Sequence, residues 1–267
     1  MSRSIIILGA AIVAALVGAG AWYMSRQVAP PPPPLVATPV PPPPVAAPAA
    51  PAELHPVQDA PLAPATPAVE AVPLDHSDAT MRDLLAGLFA DHALPSFLRI
   101  DRIVRNVVAA VDALPRDNIS PTVIAFNPVP GRMVVAQDGD AITIAAANAA
   151  RYSAYVNVVK SVDAKAVARI YLGNYPLFQQ AYRELGYPNG YFNDRLVTVI
   201  DVLLATPDID KPIALAQPKV LYTYADPALE ALPAGQKILL RMGRENAAVV
   251  KAKLREFRSA IVRAPPS

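Results

Sequence analysis

The stretch Asn193-Asp194-Arg195-Leu196-Val197-Thr198-Val199-Ile200-Asp201-Val202-Leu203-Leu204-Ala205 decides how the folded part of this chain is read. Asn193 is a helix cap by residue type, and Pro207 closes the run. Seven of the positions between are Leu, Val or Ile, so the helix is expected to be largely buried. Asp194, Thr198 and Asp201 stand at i, i+4 and i+7, which places two carboxylates on its one polar stripe.

Working outward, residues 164–185 read as a helix kinked at Pro176 and ended by Gly186. Tyr187-Pro188-Asn189-Gly190 has the chemistry of a tight turn. On the other side, residues 213–224 read as extended, followed by helices over 227–242 and 244–262. In the last of these Ala247, Val250, Leu254, Phe257 and Ile261 form an apolar stripe. Nearer the N-terminus, helices are expected over 75–90, capped by Ser77, over 95–114, stopped by Pro115, and over 146–162. Residues 123–126 and 132–137 are short β-prone runs, and Asp138-Gly139 reads as a hairpin turn into residues 141–144. The expected fold is mostly α with a small antiparallel β hairpin or sheet (α+β). It forms one globular domain over residues 75–263, with 264–267 as a tail.

What precedes this domain differs in kind. Residues 5–24 carry no charge and match the apolar thickness of a bilayer, about 30 Å at about 1.5 Å per residue. Trp22 and Tyr23 sit where an interfacial aromatic pair belongs. Arg3 and the amino terminus before the span, against Arg26 after it, favour the N-terminus inside. The competing reading is a cleaved signal peptide, because Ala19-Gly20-Ala21 has the small-x-small form of a cleavage site. Both readings export the domain. The anchor is assigned to residues 1–27.

Residues 28–74 form a stalk. Of the 31 prolines in the chain, 17 lie between Pro30 and Pro73. Proline fixes φ and donates no hydrogen bond, so polyproline II is the conformation left, at about 3.1 Å per residue. A disordered linker of this length reaches on the order of 100 Å.

Composition narrows the chemistry. There is no cysteine, which removes disulfides, thiolate metal sites and cysteine nucleophiles. The three histidines are His55, in the stalk, and His76 and His92, at the edges of the first helix. A Ser-His-Asp arrangement or a multi-histidine metal site has no place to form. No Walker loop, dinucleotide fingerprint or HExxH is present, so no cofactor and no metal are expected. Carboxylates remain. Glu184, Asp194 and Asp201 are the candidates for acid and base roles in a hydrolase acting on envelope polysaccharide.

Two surfaces are candidates for binding. Turns carry function more often than cores, which singles out Tyr187, Asn189, Tyr191, Asn193, Asp194 and Arg195. Tyr171, Tyr175, Phe178 and Tyr182 share one helical face and read as a core stripe. The second surface is basic. Residues 237–263 hold eight Lys/Arg against Glu245 and Glu256, a balance of +6, with Lys251, Lys253, Arg255 and Arg258 as its centre. It lacks interleaved aromatics, so nucleic acid is not an expected partner.

The runs Asn174-Tyr175-Pro176-Leu177-Phe178-Gln179-Gln180-Ala181-Tyr182-Arg183-Glu184-Leu185-Gly186-Tyr187-Pro188, Gly190-Tyr191-Phe192-Asn193-Asp194-Arg195 and Asp201-Val202-Leu203-Leu204-Ala205-Thr206-Pro207 resemble a bacterial family catalogued as a domain of unknown function, family 3014. The resemblance continues at Pro218-Lys219-Val220 and along Lys251-Ala252-Lys253-Leu254-Arg255-Glu256-Phe257-Arg258. It implies an N-terminally anchored proteobacterial envelope protein and carries over no catalytic residue or ligand.

The expected protein is a single-pass inner-membrane protein with its domain in the periplasm. It is read as a non-enzymatic module that binds or scaffolds an envelope protein or cell-wall component. The alternative is the carboxylate-dependent hydrolase.

Overall fold

The computed structural model describes residues 52–57, 72–89, 94–119, 126–218 and 220–262. The expected anchor over 5–24 and most of the stalk lie outside the described residues. Among the described residues no helix is long and apolar enough to cross a membrane.

After a 3-10 turn at Leu74–His76, the helices are α1 (Ser77–Ala86), α2 (Ile103–Ala113), α3 (Ser153–Ser161), α4 (Ala164–Gly173), α5 (Tyr175–Glu184), α6 (Phe192–Leu204), α7 (Pro227–Glu230), α8 (Ala234–Arg241) and α9 (Arg244–Ile261). The strands are β1 (Val135–Asp138), β2 (Ala141–Ile144), β3 (Ala214–Ala216) and β4 (Thr223–Tyr224). They form one antiparallel sheet in the order β1-β2-β3-β4. The mostly helical fold with a small antiparallel sheet is as expected.

Helix α9 is the spine, packed against α3, α4, α6 and α8. Its stripe of Ala247, Val250, Leu254, Phe257 and Ile261 is buried as its spacing requires. Each of the larger side chains contributes roughly 1.5–3 kcal/mol by leaving water. On the opposite side α2 packs against α1, α5 and α6. The sheet keeps a small apolar cluster of its own around Leu215, Tyr224 and Leu240. Asn148, fully buried in the 3-10 helix Ala146–Tyr152, ties sheet to helices. It accepts from the Val134 amide at 2.9 Å and donates to the Arg241 carbonyl at 2.7 Å.

Several boundaries differ from the sequence reading, each for a local reason. The expected helix over 95–114 begins only at Ile103, because Arg102 adopts a left-handed φ of 49°. The Arg102 and Ile103 amides instead donate to the Asp78 carboxylate at 2.6 and 2.8 Å, so α1 supplies the cap of α2. Ser77 does not cap α1; its hydroxyl donates to the Leu74 carbonyl at 2.8 Å.

The expected single helix over 164–185 is two helices meeting at Asn174, with Pro176 in the first turn of α5 rather than at a kink. Pro233 likewise divides 227–242 into α7 and α8. Residues 146–152 wind as a 3-10 helix before α3. In the β1–β2 hairpin Asp138 pairs with Ala141, so the turn residues are Gly139, at φ +56°, and Asp140. The extended stretch over 213–224 is the β3–β4 pair. Of the β-prone run 123–126, only Phe126 is described, bridged to Leu98.

Candidate functional site

The site is built where the α5–α6 turn meets the first turn of α6. Gln179 is buried on α5 and fixes this turn from below. Its amide nitrogen donates to the Gly190 carbonyl at 2.7 Å. Its oxygen accepts from the Phe192 amide and from the Tyr175 hydroxyl, both at 2.8 Å. Gly190 is required by close approach: a Cβ there would stand 2.9 Å from the Tyr182 ring. The core stripe expected of Tyr171, Phe178 and Tyr182 is present, with all three buried and Tyr175 at its edge.

So anchored, the start of α6 presents two side chains that grip another part of the chain. Asn193 is fully buried and starts no cap; its oxygen accepts from the Tyr171 hydroxyl at 3.0 Å. Its amide nitrogen donates to the His55 carbonyl at 2.8 Å. The Asp194 carboxylate accepts the His55 amide at 2.6 Å and the Leu54 amide at 3.0 Å. Three hydrogen bonds therefore run from two adjacent side chains to the main chain of residues 54 and 55. The helix N-terminus favours the Asp194 charge that makes two of them.

Residues 52–57, read from sequence as part of the stalk, thus lie against the domain. Their exposure alternates: Glu53, His55 and Val57 are half-buried, whereas Ala52, Leu54 and Pro56 are exposed. Leu54 remains 75% exposed, so the grip is on backbone rather than on that apolar side chain. Pro56 disfavours helical geometry at His55 and keeps the segment open to such bonding. Burial pushes the Tyr175 hydroxyl up to about 12, with the Glu53 and Asp194 carboxylates adding to the shift. The Tyr171 hydroxyl is raised by burial first, then by Tyr175, Asp194 and Glu53.

The other residues singled out in sequence divide differently. Arg195 turns away from the turn to the buried carboxylate of Asp112, with Nε to Oδ1 at 2.9 Å and a second bond to the Asp112 carbonyl at 3.0 Å. Tyr187 donates to the same carboxylate at 3.2 Å and stacks on Tyr182 at 4.5 Å. Arg116 completes the cluster. Tyr187 and Arg195 are therefore held in an ion cluster around Asp112, each of them half-buried. Asn189 is exposed and Tyr191 half-buried at the turn.

A glycosidase needs two carboxylates converging across one site. Here Glu184 pairs with Arg105 at 2.9 Å, Asp201 pairs with Arg258 at 2.7 Å, and Asp194 holds the 54–55 backbone. Each carboxylate has a different partner. Thr198 is exposed and bonds the Asp194 carbonyl at 2.8 Å, so the polar stripe of α6 lies at the surface.

The basic patch also comes apart. Lys251 is buried, its amine bonded to the Thr206 carbonyl at 2.6 Å and to Asp208 at 2.8 Å. That hydrogen bond and charge hold the Asp208 carboxyl below its usual range. Lys253 pairs with Glu256 at 2.8 Å and Arg258 with Asp201, leaving Arg255 exposed. Among the described residues no group of three His, Cys, Asp or Glu side chains is placed to hold a metal ion.

A family model described as protein of unknown function (DUF3014) matches residues 103–258, more than half of the chain. The chain belongs to the DUF3014 family. No curated protein matches it, and no solved structure matches it. The DUF3014 match runs from the first residue of α2 to the arginine that pairs with Asp201. It includes Asp112, Gln179, Asn193 and Asp194. The segment that Asn193 and Asp194 hold, 52–57, lies outside it.

Sequence reasoning identified Asn193 and Asp194 but missed Gln179, Asp112 and the docked segment. A signal for the last was present: Glu53 is the first charged residue after Arg26.

Proposed function

We propose that this DUF3014 protein is a membrane-tethered, non-enzymatic envelope module that binds extended peptide main chain at the start of α6. The observation that carries the reading is the pair Asn193 and Asp194, which makes three hydrogen bonds to consecutive peptide groups of residues 54 and 55. Main-chain recognition of this kind gives affinity to any extended segment, and neighbouring pockets select among side chains. Here the chain's own segment is the occupant. Glu53 and His55 are half-buried on either side of exposed Leu54, so a partner peptide carrying an acidic and an aromatic or imidazole side chain two residues apart matches the site. Residues 5–24 serve as the inner-membrane anchor in this reading, with the N-terminus inside and the domain in the periplasm. The proline-rich linker sets the reach.

The test uses the full chain in detergent. His55→Pro removes the amide that Asp194 accepts and is expected to release the segment. A labelled synthetic peptide of residues 51–58 should then bind saturably by fluorescence anisotropy. It should bind the unaltered chain at least tenfold more weakly, because a tethered segment competes at an effective concentration of order millimolar. Adding Asp194→Ala to His55→Pro should abolish binding. The reading fails if the released protein does not bind the peptide, or binds it equally well without Asp194.

A further inference from the structure

A second cleft lies between the sheet and the end of α8. Its volume is ≈ 400 Å³, within the size range of ligand pockets. Three arginines line it: Arg132 from the loop before β1, Arg151 from the 3-10 helix, and Arg241 from the last turn of α8. Among the described residues no Asp or Glu lines it.

The described arginines divide evenly between those that a carboxylate holds and those that none does. Seven described arginines form ion pairs with carboxylates: Arg82, Arg99, Arg105, Arg116, Arg195, Arg244 and Arg258. Among the described residues the three in the cleft make no such pair. Arg151 is instead held by neutral acceptors. Its guanidinium donates to the Gly131 carbonyl at 2.7 Å, the Pro130 carbonyl at 3.2 and 3.3 Å, and the Asn148 side chain at 3.0 Å. Asn148 is itself locked by the Val134 amide and the Arg241 carbonyl. Arg241 lies 5.7 Å from the centre of the Tyr224 ring. Neutral partners orient a guanidinium and leave its charge uncancelled.

Tyr152 forms part of the lining from within the core. Burial raises its hydroxyl, and Arg241 and Arg151 act against that rise, so both cations stand near it. Met133, Val135 and Tyr222 give the cleft apolar walls. The combination is a preorganised cationic cleft with one exposed arginine at its rim.

We infer that this cleft binds a phosphate-bearing ligand, the Arg132, Arg151 and Arg241 guanidiniums engaging its oxygens and the Met133 and Tyr222 side chains its apolar part. Phosphate suits three guanidiniums better than a single carboxylate does. It carries up to two charges and three terminal oxygens, each able to accept a charge-assisted hydrogen bond. The same chemistry is presented by a free phosphorylated compound and by an anionic lipid headgroup.

The experiment is isothermal titration calorimetry on the full chain in a neutral detergent at low salt. The probes are inorganic pyrophosphate and, separately, dihexanoyl phosphatidic acid below its micellar concentration, whose headgroup is likewise a terminal phosphate. At least one is expected to bind, about tenfold more weakly in Arg132→Gln and in Arg241→Gln. The exposed Arg169→Gln on α4 removes the same charge away from the cleft and is expected to leave affinity unchanged. Binding of pyrophosphate alone marks a free phosphate ligand, and binding of the lipid alone marks a headgroup. Arg132 is exposed, so its variant keeps the test valid if Arg241→Gln unfolds the sheet end. Absence of binding by both probes at millimolar concentration overturns the inference. So does a loss in Arg169→Gln equal to that in Arg132→Gln.

Discussion

Asp112→Ala is expected to lower the stability of the domain by about 3 kcal/mol. Asp112 is 1% exposed on α2 and neutralises cations from two directions. Arg195 of α6 binds both its carboxylate and its carbonyl, Arg116 binds the other carboxylate oxygen, and Tyr187 from the α5–α6 turn adds a hydroxyl. Removing one partner of a buried ion pair costs about 3–5 kcal/mol, because the other charge is left in a poor environment. The low end applies here, since the Arg195 and Arg116 side chains are 27% and 57% exposed and reach water once released. Asp112→Asn keeps the shape and an acceptor, and should cost less than the alanine. Urea unfolding followed by circular dichroism measures both. A loss below about 1 kcal/mol for the alanine would show that the cluster is a surface arrangement with little net effect.

Phe257→Ala is expected to cost about 3–5 kcal/mol. Phe257 lies on the buried face of α9, its ring 6.1 Å from that of Tyr171. It also lines a half-open apolar pocket of ≈ 50 Å³ shared with Met81, Val107, Val167, Phe178 and Phe192. Truncation therefore enlarges a space that the surrounding helices already fail to close. The cost of such a cavity grows by about 24 cal/mol per Å³ that does not collapse. An enlarged dry cavity of this kind admits small apolar molecules. Benzene should accordingly raise the melting temperature of Phe257→Ala and leave the unaltered protein unchanged. A loss under about 1.5 kcal/mol, with no effect of benzene, would mean that the helices around α9 close in freely.

How much of this was legible in sequence depends on the range of the interaction. The α9 stripe, the hydrophobic run of α6 and the β1–β2 hairpin follow from spacing within one element, and all three were readable. The start of α2 was not, because its cap comes from Asp78, 24 residues upstream of Arg102. Asn193 has the right type for a cap, yet its side chain is taken by Tyr171 and His55, contacts that span 22 and 138 residues. Lys251 reads as part of a basic face by count, but it lies on the flank of α9 that meets the chain after α6. There the Thr206 carbonyl lacks a helical donor and accepts its amine. Asp112 sits in a run of valines and alanines and gives no local sign of the two arginines that converge on it. The composition of the early stalk pointed to an extended chain, and composition does not reveal that two side chains of a distant helix would hold the main chain of two of its residues.

The account's central claim is that Asn193 and Asp194 clamp the main chain of residues 54 and 55. Amide hydrogen exchange in the full chain tests it most directly. The Leu54 and His55 amides, both spent on Asp194, should exchange at least tenfold more slowly than the same amides in a free synthetic peptide of residues 51–58. That protection should vanish in Asp194→Ala while the amides of α6 stay protected. Exchange of Leu54 and His55 at unprotected rates in the unaltered chain, or protection that survives the loss of Asp194, would contradict it.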